Sequence, residues 1–236
     1  ATPYGQTMCN RLVEGLAAQV PGLCIVSGLA FGIDVAAHRA ALAAGVPTVA
    51  VLANPLPEVT PAQHTAVARD ILDHGGALVT ELHSQTRQNG TAYIARNRII
   101  AGLSEGVLVV SGDEKSGTAY TAGYAADYGR EVFALPYQPG IPSGRGCNRL
   151  IKNGAYLTDC IEDILSVYHI EKKERNEPAL SELEQSLLAL IADGVSHAER
   201  LAERAGRPVY EIMPALMQLE IKKKIVRGAG NTYAAS

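Results

Sequence analysis

Arg96, Asn97 and Arg98 stand together inside the apolar run TAYIARNRIIAGLS, residues 91–104. A guanidinium grips a phosphate or carboxylate with a planar fork of donors and also stacks on nucleobases. It is seldom buried unless paired. Two arginines two positions apart do not share a helix face. One is therefore expected to reach the sheet edge while the other pairs with an acid such as Glu81 or Glu105. Phosphate contact and a structural ion pair are both compatible with the pair of arginines.

Two further stretches suit anions. SGLAFGID, residues 27–34, places Ser27 and Gly28 at a strand end, with Gly32 just before a helix. Glycines permit close backbone approach, and free N–H groups at a helix start attract negative charge. The spacing is not G-x-G-x-x-G, and a tight strand–helix turn explains it equally well. SGDEKSGTAYTAG, residues 111–123, carries Lys115, Ser116 and Gly117 in a Gly-rich loop ahead of a helix. Its lysine precedes Ser-Gly rather than following a glycine, so it is no ATP-binding P-loop, yet it suits a phosphate cradle. The plainer reading is a solvated loop lysine.

Catalytic patterns are weaker. Asp34 and His38 lie at i, i+4 without an accompanying nucleophile, and the sequence contains no H-E-x-x-H, G-x-S-x-G or Cys/His metal spacing. Catalytic residues, metal and cofactor are all expected to be absent. The four cysteines are scattered, as reduced thiols of a cytoplasmic protein would be. The net charge is −3, and the first 160 residues hold 11 Lys+Arg against 12 Asp+Glu. Any polyanion must then meet a local patch rather than a basic face.

These stretches need a frame to position them. Short apolar runs at 23–28, 47–53, 77–82, 106–112 and 130–136 alternate with helical patterns at 32–45, 61–76, the Arg-Asn-Arg segment and 116–129. That alternation predicts an α/β fold, a Rossmann-like doubly wound parallel sheet covered on both faces. Its ligands would lie at the carboxyl ends of the strands, where all three stretches fall. The segment HIEKKERNEPALSE is charged and apolar-poor, so residues 1–168 are expected to form the main domain and 169–180 a linker. Residues 181–236 read as three helices and a hairpin, a small winged-helix-like domain. No strand precedes the first helix, and the expected segment before Ala1 would supply one.

Taken in order, GLAFGIDVAAHRAAL, GGALVTEL, ARNRIIAGLS, KSGTAYTA, REVFALP and GCNRLIKNGA resemble the DprA/Smf family of bacterial DNA-processing proteins. The resemblance implies an extended Rossmann domain that binds single-stranded DNA, dimerises, and loads the RecA recombinase during natural transformation. Carried over by position, the DNA contacts are Ser27, Gly28, Arg96, Asn97, Arg98, Lys115, Ser116 and Gly117. The segment 146–155 corresponds to the family's dimer- and recombinase-contacting region, with Leu150 and Ile151 as apolar contacts; core packing would explain both equally. Two alternatives remain. One is a nucleoside-monophosphate phosphoribohydrolase of the LOG type, although no glutamate follows the Gly-rich loop. The other is a duplex-DNA regulator, although the segment 207–220 is poor in side chains that read bases.

Overall fold

The computed structural model describes residues 1–86, 90–114, 116–172, 180–222, 224–228 and 230–235. Lys115, and residues 173–179 of the expected linker, lie outside the described residues. The chain divides into two compact units, Ala1–Lys173 and Glu174–Ser236.

In the first unit, α1 (Pro3–Gln19) is started by the Thr2 hydroxyl, which accepts from the Gly5 N–H at 3.1 Å, and by Pro3 at its first position. There follow β1 (Ile25–Ser27), α2 (Ile33–Ala43), β2 (Thr48–Val51), α3 (Thr65–Asp73) and β3 (Ala77–Val79). Next come α4 (Ala92–Leu103), β4 (Gly106–Val109), α5 (Gly117–Asp127), β5 (Glu131–Ala134), α6 (Arg145–Lys152), β6 (Tyr156–Leu157) and α7 (Ile161–Val167). All strand pairings are parallel, in the orders β1-β2-β3 and β4-β5-β6.

The α/β architecture matches the sequence expectation, with one refinement. The strands form two three-stranded sheets, and among the described residues no ladder joins β1 to β4. The two sheets are held together by packing instead. Met8, Cys9, Leu12 and Val13 of α1 share one apolar cluster with Ile25 of β1 and Leu108 of β4. Period-two alternation then decides which helix covers which face. Leu108 and Phe133 turn toward α1 and α7, while Val107, Val109 and Ala134 pack against Ala101 of α4 and Ala122 and Ala125 of α5.

Beneath α2, His38 is fully buried. The Thr48 hydroxyl donates to the Ile25 carbonyl at 2.7 Å, so it can only accept from His38 Nδ1, also at 2.7 Å. The proton therefore sits on Nδ1. Nε2 is left as a buried acceptor with no partner among the described residues. Burial pushes the pKa from 6.5 to about 4; Arg96 and His64 add to the fall, and Asp34 opposes it. The unfolded chain thus binds this proton more readily than the folded one. Stability contributed by neutral His38 is complete above pH 6.5 and drains away as pH falls toward 4, by up to about 3 kcal/mol. His38→Gln should flatten this acid limb in urea titrations at pH 4–7, and an unchanged limb would assign it to other groups.

The second unit comprises α8 (Glu182–Ala192), α9 (Ala198–Ala205), α10 (Val209–Ile221) and the antiparallel pair β7 (Ile225–Arg227) and β8 (Tyr233–Ala235). Ser181 and Glu184 form a reciprocal capping box at the start of α8. Leu187, Leu201, Ile212, Leu216 and Leu219 are fully buried in one core. Glu184 also accepts from Lys222 at 2.7 Å, pinning the end of α10 to the start of α8. No described helix of the chain is long and apolar enough to cross a membrane.

Candidate functional site

The loop after β1 is gripped from three directions. Arg96 of α4 donates from Nη1 to the Gly28 carbonyl at 2.7 Å and also to the Val51 carbonyl at the end of β2. His64, ahead of α3, bonds through Nδ1 to the Leu29 carbonyl at 2.7 Å. Asp34 of α2 accepts from the Ala30 N–H at 3.2 Å and, through its other oxygen, from the Ser27 hydroxyl at 3.0 Å. Leu29 is held at a φ of 60°, unusual for a branched side chain, and is itself completely buried. The effect of these fixed neighbours is to project Phe31 outward. It is 67% exposed and touches only the edge of the His64 ring among its aromatic neighbours, at 4.8 Å between centroids.

The sequence brings Arg96, Asn97 and Arg98 to three different destinations. Arg96 turns inward and is 4% exposed; burial lowers its pKa, and Asp34 opposes the fall. A Cβ on Gly28 would lie 2.4 Å from its guanidinium, so any side chain there would have to displace that group. Asn97 accepts from Arg96 Nε at 3.1 Å and donates to the Gly117 carbonyl at 3.2 Å, tying α4 to the first turn of α5. Arg98 faces solvent and pairs with Glu81, just beyond β3. One helix thus fixes the carboxyl ends of β1, β2 and β3 and the start of α5. A cleft at that edge is lined by Leu52, Ala53, Glu81, Leu82, Ala95 and Arg96, among others.

The third loop is equally braced. Gly112 donates to the Ser143 carbonyl at 2.7 Å and accepts from the Gly146 N–H at 2.9 Å, which docks it on the start of α6. A Cβ on Gly112 would strike the hydroxyls of Thr118 and Ser116. Those hydroxyls bond each other instead of capping α5. Gly117 has open space on its Cβ side, with Asn97 at 3.9 Å as its nearest neighbour.

Leu150 and Ile151 are half-buried and pack against the cluster under α5 and β5, so part of each side chain serves the core. Asp159, Cys160 and Asp163 form the one group of metal-type ligands that converges among the described residues. Asp163 there accepts from the N–H groups of Asp159 and Cys160, as a helix cap does. Sequence reasoning missed Phe31, His64 and Thr118. It assigned Asp34 no role because it was sought as an acid beside a nucleophile rather than as a clamp on a loop.

A family model described as DNA recombination-mediator protein A matches residues 1–169, and one described as DprA winged helix domain matches residues 171–231. The chain belongs to the DprA/Smf family. Protein Smf of Escherichia coli is 39% identical over 234 residues, covering 92% of this chain and 61% of the relative. DNA processing protein DprA of Bacillus subtilis is 39% identical over 175 residues, covering 74% of this chain and 57% of the relative. The chain therefore spans about three fifths of these relatives' length. Among solved structures, DprA of Streptococcus pneumoniae superposes with a TM-score of 0.64 at 34% identity, covering 74% of this chain and 59% of that one. DNA processing protein A of Helicobacter pylori, described for its single-stranded DNA binding mode, gives a TM-score of 0.64 at 27% identity, covering 73% of this chain and 77% of that one.

Proposed function

We propose that this DprA/Smf chain binds single-stranded DNA along the carboxyl edge of its first unit. It would protect incoming DNA and load the RecA recombinase on it during natural transformation, as a cytoplasmic homodimer without catalytic turnover. The observation that carries the DNA reading is the pre-set loop at residues 28–31. Its backbone is fixed by Arg96, His64 and Asp34, and it holds Phe31 out to solvent. An exposed ring at a strand end offers any unpaired base a stacking surface, whatever the sequence.

In this reading Arg98, the N–H groups opening α5, Ser116 and Gly117 face phosphates, and Lys115 joins them by its place in the sequence. Ser27 and Gly28 shape the first loop. Arg96 and Asn97 act as positioning residues, because their polar groups are already engaged. Family membership and the single-strand binding described for the Helicobacter pylori protein support the choice of ligand. The recombinase step rests on the family resemblance. Dimerisation would use the outward parts of Leu150 and Ile151 together with Tyr156 and Leu157, exposed on the strand that follows.

Titration of the intact protein with single-stranded and duplex oligonucleotides at two salt concentrations tests the reading. Single strands should bind more tightly, with little sequence preference, and affinity should fall only modestly with salt because few cations face the site. Equal affinity for the two forms would overturn it.

A further inference from the structure

Residues 132–158 hold Arg145, Arg149 and Lys152 and no Asp or Glu, in a chain whose net charge is −3. All three cations belong to α6 and are exposed. At 100° per residue they fall within about 60° of one another, along about 10 Å of helix. The opposite side of α6 carries Cys147 and Leu150, which pack in the core.

Helix electrostatics accounts for only two of these cations. Arg149 and Lys152 stand in the last turn, where positive charge complements the carbonyl end of the dipole. Arg145 occupies the first helical position, where positive charge opposes the dipole, and no acid in the first turn offsets it. Among the described residues, the side chains of Arg145 and Lys152 have no hydrogen bond or ion pair. Arg149 lies 3.9 Å from Glu114, too far for a hydrogen bond, with 64% of its side chain exposed. An exposed pair of this kind contributes little and yields readily to a phosphate.

The stripe adjoins the proposed single-strand site. A Cβ on Gly146 would lie 2.7 Å from the Gly112 carbonyl oxygen and 2.9 Å from that of Asp113. The first turn of α6 is therefore pressed against the loop that leads into α5. Arg145 directly precedes that contact, and Arg149 extends toward Glu114 of the same loop. The composition of the stripe selects its ligand. A protein contact is built around apolar or aromatic anchors, and the stripe has none. Cations recurring at each turn, two guanidiniums among them, suit a chain with one negative charge per repeat. We infer that Arg145, Arg149 and Lys152 form a track for the phosphodiester backbone, which carries a single strand from the loop before α5 along α6. The inference rests on the single-strand reading and adds contacts beyond the sheet edge.

The test uses the intact chain and oligothymidylates of increasing length. Short strands reach the sheet edge alone, and longer ones also reach α6. In the unaltered chain, affinity and its salt slope should both rise with length. Arg145→Gln, Arg149→Gln and Lys152→Gln together should remove that rise. Long strands should then bind about tenfold or more weakly at low salt, and the slope should fall by about 2, at ~0.7 per phosphate contact. Short strands should bind as before. Arg149→Lys alone should keep most of the slope, because a cation remains. A control chain carries Arg11→Gln, Arg39→Gln and Arg69→Gln, exposed positions on α1, α2 and α3 that give the same net charge. It should bind like the unaltered chain. All of these sites are exposed, so circular dichroism should stay unchanged. Long-strand binding that ignores the α6 substitutions would overturn the track and leave the single-strand reading standing; the cations would then suit an acidic protein face. An equal loss in the control chain would assign the effect to net charge and overturn the track as well. An unaltered chain that prefers single strands at no length would overturn both readings.

Discussion

Arg96→Ala is expected to lower the stability of the first unit by roughly 3–5 kcal/mol. The carbonyls of Gly28 and Val51 both accept from this guanidinium, and Asn97 accepts from its Nε. Removing it strands two backbone acceptors at the ends of β1 and β2, in a site too buried for water to replace it freely. An unsatisfied buried acceptor costs about 1–3 kcal/mol, and the void adds to that. Arg96→Lys should rescue little, since one ammonium cannot reproduce a fork aimed at several acceptors. Chemical denaturation of the intact protein reads the effect. The transition of the Ala1–Lys173 unit should move while that of the winged-helix unit stays in place. A loss below about 1 kcal/mol would mean that the loop does not depend on this brace.

The second large effect falls on binding alone. Phe31→Ala should weaken single-strand affinity by roughly 1–3 kcal/mol, about 5- to 150-fold, by removing the stacking surface. Its salt dependence should not change, because a ring displaces no counterions. Stability should hardly move, because Phe31 is mostly in water. Phe31→Trp should retain affinity. Arg98→Ala supplies the contrast: it breaks only an exposed pair with Glu81, which contributes little to stability, and should lower the salt slope by about one contact. Unchanged affinity in Phe31→Ala would remove stacking from the proposed site.

Much of the frame was legible because it rests on local pattern. The apolar runs ending near Ser27, Val51 and Val109 became strands, and the two-residue offset of Arg96 and Arg98 foretold opposite directions. The sequence could not say which arginine went inward, because that depends on Gly28, 68 positions away, leaving room for a guanidinium. Phe31 was illegible for a similar reason. In GLAFGID it looks like another core residue, and only the clamps on Gly28, Leu29 and Ala30 turn it outward. The division into two sheets was hidden too, since strand pairing across a sheet is set by long-range packing rather than by the strands' own composition.

The contact between Gly28 and Arg96 also constrains how this chain can change over generations. A side chain at 28 would force the guanidinium off its present position, and any smaller residue at 96 leaves two carbonyls bare and a hollow beside the glycine. Each substitution is harmful alone, yet a methyl at 28 would fill part of the space that loss of the arginine opens. The route out of the present pair therefore runs through both codons together, and lineages that keep one should be found to keep the other.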